Sequence, residues 1–262
     1  MENFDYPKLT IWITSTGRYD FLKETLERFE KYNTYPNIEY LIVESVPTEE
    51  SMQVFNTPMI KSAETRELLE AFRDAHPDNC KLWFMDWPKL GVVYNHLMKY
   101  TSEYYMSLED DCWACCDPHD HIVDAIKVLR EDPELLGIRA DLADETVRPD
   151  HSRFQSAGRG MKRNPHSNYL FWEVCSGGAQ IVDTTKVRNL GGFFEDHELI
   201  DYARPEFKLQ EAMRAANMYC GILLKYYGFL MHMGAMSTHG EDRVWSSAGY
   251  ETMFAKGFYG KR

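Results

Sequence analysis

The sharpest chemical feature of the 262-residue sequence is an acidic triplet, Glu109-Asp110-Asp111, set directly after the apolar run Tyr104-Tyr105-Met106-Ser107-Leu108. Carboxylates crowded at the end of a strand repel one another and lose hydration unless a cation or hydrogen-bond donors compensate them. Hard divalent ions such as Mg²⁺ and Mn²⁺ take oxygen ligands, commonly one or two carboxylates together with the phosphates of a substrate. An isolated acidic triplet is ordinary on a solvated turn. Here it follows a buried-type strand, and a second acid, Glu44, closes the apolar run Leu41-Ile42-Val43. That pairing points to a divalent-cation site. Six cysteines stand at 80, 112, 115, 116, 175 and 220. Cys112-x-x-Cys115 has the spacing of half a zinc site, but no second Cys or His pair sits at a matching interval, so buried, reduced thiols are expected.

The elements that must hold these groups alternate. Leu9 to Thr14, Ile38 to Val43, Lys81 to Met85 and Glu103 to Leu108 read as short buried strands. Between them, residues 19–32, 62–75 and 91–100 carry apolar side chains at helical spacing, such as Phe21, Leu22, Leu26 and Phe29. Strand–helix alternation over residues 9–130 means a largely parallel sheet covered by helices. Ligands of such sheets bind beyond the carboxyl ends of the strands. Three of these ends are polar or acidic, namely Thr14-Ser15, Glu44 and the triplet. The second half is less regular. It has an apolar stretch from Tyr169 to Val174, a strand-like segment from Ala179 to Val182, Gly191-Gly192, and a helix from about 206 to 217. No repeat or linker divides the chain, so a single domain is expected.

Composition narrows the classes. With 44% apolar and 27% charged residues the chain is ordinary globular protein. No run approaches the roughly 18 apolar residues of a membrane span. The start, Met1 to Pro7, lacks the basic and apolar parts of a signal peptide. A cytoplasmic location is therefore expected. A net charge of −12 argues against a general nucleic-acid or anionic-membrane binder. One stretch opposes that balance: residues 148–163 carry Arg148, Arg153, Arg159, Lys162 and Arg163 against Asp150 alone. The sequence lacks G-x-S-x-G and G-x-G-x-x-G, which disfavours hydrolase and dehydrogenase readings. Ser15-Thr16-Gly17-Arg18 is too poor in glycine for a nucleotidyltransferase phosphate loop.

Five segments, in order, resemble nucleotide-sugar glycosyltransferases of the GT-A fold, closest to the family 2 type. Ile13 to Leu22 resembles the first strand and its loop, and Leu41-Ile42-Val43-Glu44 the second strand. Gly91 to Asn95 resembles the segment under the donor, and Tyr104 to Asp111 the strand ending in a DxD-type metal motif. Ser176 to Val182 with Leu190 to Phe193 resembles the acceptor-side block. The resemblance implies one α/β GT-A-type domain with a mostly parallel Rossmann-like sheet flanked by helices. Residues 9–130 would form its nucleotide-sugar half, and 131–262 a smaller mixed acceptor half with a C-terminal tail.

It also implies roles. Asp111 would hold a divalent cofactor, Mn²⁺ or Mg²⁺, with His232 as a further ligand. Thr14, Ser15, Arg18, Glu44, Asn95, Glu109 and Asp110 would line the donor, a nucleoside-diphosphate sugar with uridine diphosphate favoured. Arg18 would meet a phosphate, and Glu44 would accept from a ribose hydroxyl or a base N–H. Glu206, after Pro205 at a helix start, would be the base that takes the acceptor's proton. Basic segment 148–163 would suit a phosphate-bearing acceptor. The acids at 44 and 109 depart from the Asp usual in such motifs. An alternative is thus a GT-A-like module that binds the nucleotide sugar without transferring it.

Overall fold

The computed structural model describes residues 4–48, 60–86, 88, 90–140, 160–166, 169–172, 179–193, 206–223 and 230–232. Strand β1 is Leu9–Ser15, β2 is Ile38–Val46, β3 is Cys80–Asp86 and β4 is Tyr104–Glu109. They lie side by side in the order β3-β2-β1-β4, all parallel. Helices α1 (Tyr19–Tyr32), α2 (Ser62–Ala75) and α3 (Leu90–Met98) make the crossovers. After β4 come β5 (Cys112–Ala114), α4 (His119–Glu131) and β6 (Leu135–Arg139). Then follow β7 (Gly160–Lys162), β8 (Tyr169–Trp172), β9 (Gln180–Asp183), α5 (Thr184–Asn189), α6 (Glu206–Ala215), β10 (Tyr219–Leu223) and β11 (Leu230–His232).

Among the described residues the main sheet has nine strands, β3-β2-β1-β4-β9-β6-β10-β8-β7. Following the pairings along it, only β9 and β8 run against the rest. The sequence-expected architecture is found: a parallel half, then a mixed part begun where β9 inserts antiparallel between β4 and β6. A separate two-stranded piece, β5 with β11, sits just past the β4 terminus.

Alternation along the strands divides the core into two layers. Ile11, Ile13, Ile42, Met106 and Leu108 face α1, α2 and α4, where Leu22, Leu26, Phe29, Leu69, Ile122 and Ile126 are buried. Trp12, Leu41, Val43 and Tyr105 face the other way, onto Val93, Tyr94 and Leu97 of α3, Val187 of α5, and Leu209 and Met213 of α6. On this side Trp12 stacks on Tyr105 at 3.9 Å between ring centres, and its Nε1–H donates to the Thr101 hydroxyl at 2.8 Å. Among the described residues no helix is long and apolar enough to cross a membrane.

Two differences from the sequence-based expectation matter for the site. Strand β2 does not end before Glu44 but continues to Val46: β1 pairs it as far as Glu44, and β3 as far as Val46. Glu44 is therefore an interior strand residue, opposite Ser15 on one side and Phe84 on the other. Helix α4, assigned no element from the sequence, fills the connection from β5 to β6; it buries Ile122, Val123, Ala125, Ile126, Val128 and Leu129.

Candidate metal and nucleotide site

The parallel registers bring the expected groups together at one edge. Thr14 on β1 is level with Glu109 on β4, and Ser15 is level with Glu44 on β2. Past Glu109 the chain turns on Asp110-Asp111 and enters β5 at Cys112. The turn is held from below. The Asp110 N–H donates to the Thr14 carbonyl at 3.2 Å, and the buried Thr25 hydroxyl of α1 donates to the Asp110 carbonyl at 2.7 Å.

Arg18 reaches this turn from the loop between β1 and α1. Gly17 makes the approach possible, with φ at +77° and an Ile60 methyl 2.7 Å from where a Cβ would stand. The Arg18 Nε–H donates to Asp110 Oδ2 at 3.0 Å, its NH2 group to Asp110 Oδ1, and its NH1 group to Asp111 Oδ2 at 3.2 Å. All three side chains are nearly buried, with 11%, 2% and 7% of Arg18, Asp110 and Asp111 exposed. Desolvation works against the guanidinium, but the surrounding carboxylates outweigh it and keep Arg18 charged. Burial pushes the Asp110 carboxyl up to about 6; Arg18 pulls against that rise, while the charges of Asp111 and Glu109 add to it. Arg18, expected to meet a phosphate, here bonds both aspartates.

Three ligand-bearing groups converge beside this pair. Single donor atoms of Glu109, Asp111 and Cys112 all lie within 4.8 Å of one another. The Tyr94 hydroxyl of α3 donates to Glu109 Oε1 at 3.3 Å. Two carboxylates at that spacing suit a hard divalent ion, so the residues present fit the metal that the sequence implied. Cys112 was not expected in this company. The only signal was its place next to the triplet, and its thiol groups with the two acids. Cys80, Cys112, Cys115, Cys116 and Cys220 carry thiols rather than disulfides.

Glu44 is 2% exposed, and neither of its carboxylate oxygens meets a protein donor in sound hydrogen-bond geometry. Burial pushes it up to about 8; the Ser15 hydroxyl, the Gly17 amide and Arg66 draw it back in part, while Asp110 pushes the same way as burial. A carboxyl left in this condition is suited to a ligand that supplies the missing partner.

The other expected residues are placed as follows. Asn95 clasps the turn after α5: its Nδ2–H donates to the Phe193 carbonyl and its Oδ1 accepts from the Phe193 N–H, both at 3.0 Å. That turn needs glycine at 192, where φ is +76° and a Cβ would lie 2.9 Å from Asn95 Oδ1. Asn95 therefore fixes the Gly191-Gly192-Phe193 segment against α3. Glu206 is the first residue of α6, the helix seated by Leu209 and Met213 in the same apolar layer as Tyr94 and Phe193. His232 ends β11, whose antiparallel register sets it opposite Cys112, next in sequence to Asp111. Residues 148–159 of the basic segment lie outside the described residues, as do 173–178.

Neither a family model nor a curated protein matches the chain. Solved structures do. The mannosyltransferase PcManGT from Pyrobaculum calidifontis, in complex with GDP-Man and Mn²⁺, is 16% identical with a TM-score of 0.51, over 72% of this chain and 48% of that one. TarS 1–349 of S. aureus in complex with UDP-GlcNAc is 15% identical with a TM-score of 0.57, over 96% and 66%. GalNAc-T7 with UDP, GalNAc and Mn²⁺ is 10% identical with a TM-score of 0.57, over 84% and 43%. At such identities the likeness is one of fold: the chain has the GT-A fold of these glycosyltransferases. It spans less than two thirds of the length of each.

Proposed function

We propose that the chain is a glycosyltransferase that moves a sugar from a nucleoside-diphosphate sugar, uridine diphosphate favoured, to an acceptor hydroxyl. The observation that carries this reading is the convergence of Glu109 and Asp111 at the β4 terminus of a GT-A sheet. The buried Glu44 on the same edge, its oxygens unmatched, supports it. The Mn²⁺ and nucleotide ligands of the structural neighbours accord with it.

Asp111 is the principal ligand for Mn²⁺ or Mg²⁺ in this reading, Glu109 a second and His232 a further one. A bound divalent ion supplies positive charge against the diphosphate leaving group. Arg18 keeps its two bonds to Asp110 and turns its NH1 group from Asp111 to a phosphate oxygen, a charge-assisted hydrogen bond. Asp110, engaged by Arg18 through both carboxylate oxygens, orients that guanidinium rather than touching the ribose. Thr14 and Ser15 form the floor at the β1 terminus. Glu44, holding a proton up to about pH 8, donates to or accepts from the base or ribose. Asn95 keeps the 191–193 turn in place beside the donor.

Glu206 takes the proton of the attacking hydroxyl. Its helix is seated on the face that carries Phe193, and a carboxylate in the first turn is stabilised by the helix dipole and so stays ionised as a base requires. The basic segment 148–163 recruits a phosphate-bearing acceptor. The order of the five segments that resemble family 2 transferases supports a relationship to that type. The two halves, 9–130 for the donor and 131–262 for the acceptor, work as one domain.

A thermal-shift screen of uridine, guanosine, cytidine and thymidine diphosphate sugars, each with and without Mn²⁺, tests the reading. One nucleotide is expected to stabilise the protein only when Mn²⁺ is present. Stabilisation by none of them would sink it; donor binding without sugar transfer to any hydroxyl or to water would make the chain a binding module.

A further inference from the structure

We infer that the Cys112 thiol is itself a metal ligand, and that it tunes the site away from Mg²⁺ toward thiophilic divalent ions. This rests on the ion-binding reading of Glu109 and Asp111 above and adds to it the sulfur and the selectivity that sulfur brings. The geometry comes from the turn. Asp110 and Asp111 occupy its two central positions, so Glu109 and Cys112 stand at its ends and are drawn together across it. Asp110 faces Arg18, whereas one oxygen each of Glu109 and Asp111 and the Cys112 sulfur lie within 4.8 Å of one another. Oxygen and sulfur ligands of one ion stand about 3 to 4 Å apart, given metal–oxygen and metal–sulfur bonds of about 2.0 and 2.3 Å. Closing the set therefore takes movements of about an ångström.

The surroundings favour the same role. Cys112 is fully buried, at the start of a strand pinned by β11, so its sulfur has little freedom to turn away. The register of that pairing also sets His232 opposite it, which places a second non-oxygen donor residue at the same level. Carboxylates alone suit Mg²⁺ and Mn²⁺, whereas a thiolate selects softer ions. A mixed O,O,S set binds in rising order Mg²⁺, Mn²⁺, Co²⁺ and Zn²⁺. Coordination takes the thiolate, so the thiol proton passes to solvent water as the sulfur–metal bond forms.

Cobalt chloride is the probe, added anaerobically to the full chain kept reduced without thiol reagents. Wild type is expected to show a near-ultraviolet sulfur-to-cobalt charge-transfer band together with visible d–d bands. Cys112→Ser should lose the first and keep the second, with Co²⁺ bound at least about tenfold more weakly, the scale at which even supporting residues act. Cys116→Ser, altering the exposed neighbouring thiol, should leave both unchanged. Visible bands without a charge-transfer band in wild type would overturn the sulfur ligand while leaving the Glu109–Asp111 ion site standing. Cobalt spectra that survive Asp111→Asn, or no cobalt binding at all, would overturn both. Should Cys112→Ser fail to fold, zinc-edge X-ray absorption on the wild-type protein with one equivalent of Zn²⁺ decides the matter. One sulfur at about 2.3 Å among lighter ligands supports the inference, and a shell without sulfur rejects it.

Discussion

Replacing Arg18 with Gln tests the electrostatics of the acidic turn most sharply. The guanidinium bonds Asp110 through two groups and Asp111 through a third, and about nine tenths of its side chain is buried. Removing one partner of such a pair costs about 3–5 kcal/mol, because the charge left behind has lost its water as well as its counter-ion. Relief is available here. Asp110 already titrates near 6, and without Arg18 it would hold a proton at neutral pH. The lower end, about 3 kcal/mol, is therefore the better expectation, or a fall in Tm of about 6–12 °C for a chain of this size. The loss should be larger at pH 8, where the Asp110 carboxyl gives up its proton, than at pH 5.5. A divalent ion on Glu109 and Asp111 restores positive charge beside the same turn. Mn²⁺ at about a hundred times its Kd contributes about 2.7 kcal/mol, and it should return most of the lost Tm in Arg18→Gln while acting less on wild type, where it must first displace the guanidinium. Scanning calorimetry of both proteins at two pH values, with and without Mn²⁺, reads all of this. A variant melting within about 2 °C of wild type at pH 8, or equally shifted by Mn²⁺, would show that Arg18 does not neutralise the buried aspartates.

Four further outcomes are expected. Asp111→Asn should abolish Mn²⁺-dependent binding of nucleoside diphosphate by isothermal titration, with an unchanged circular dichroism spectrum; retained metal dependence would move the ion elsewhere. Glu44 is protonated in the folded protein up to about 8, against 4.5 ordinarily, so the unfolded chain binds fewer protons than the native state between those values and stability falls as pH rises through them. Glu44→Gln should accordingly gain Tm over wild type progressively from pH 4.5 to 8 and level off above; a constant difference would count against the buried carboxyl. Gly192→Ala should lose about 1–3 kcal/mol of stability, read as a lower urea midpoint, since alanine meets both a positive φ and the Asn95 oxygen. Glu206→Gln should bind donor normally yet transfer sugar about 10² times more slowly; near-normal transfer would pass the base to another residue.

Much of the donor half was legible because its helices and strands are locally consistent. Helices α1 and α2 fall on the expected residues, and their buried Leu22, Leu26, Phe29 and Leu69 lie on one stripe. The strand ends were less so. Glu44 reads as a strand terminator by its charge, yet both neighbours pair it and β3 carries β2 on to Val46, and only the sheet reveals that the acid is buried. Helix α4 escaped because its Ile122, Val123, Ile126 and Val128 are β-branched and read as readily for a strand. The antiparallel insertion of β9 between β4 and β6 leaves no local mark, since register and order are set by packing of distant segments. At the site itself the acids were visible as a cluster. The capture of both aspartates by Arg18, and the arrival of the Cys112 sulfur beside Asp111, follow from how a loop and a turn fold onto one edge.

The decisive measurement is release of nucleoside diphosphate from the nucleotide sugar that binds best, followed in the presence of Mn²⁺ for wild type and for Asp111→Asn. Wild type is expected to release it, slowly to water and faster once a suitable hydroxyl acceptor is supplied, and the release should stop when the ion is chelated. Asp111→Asn should show none. Equal release by the two proteins, or release indifferent to chelation, would contradict a transferase built on the acids at the end of β4.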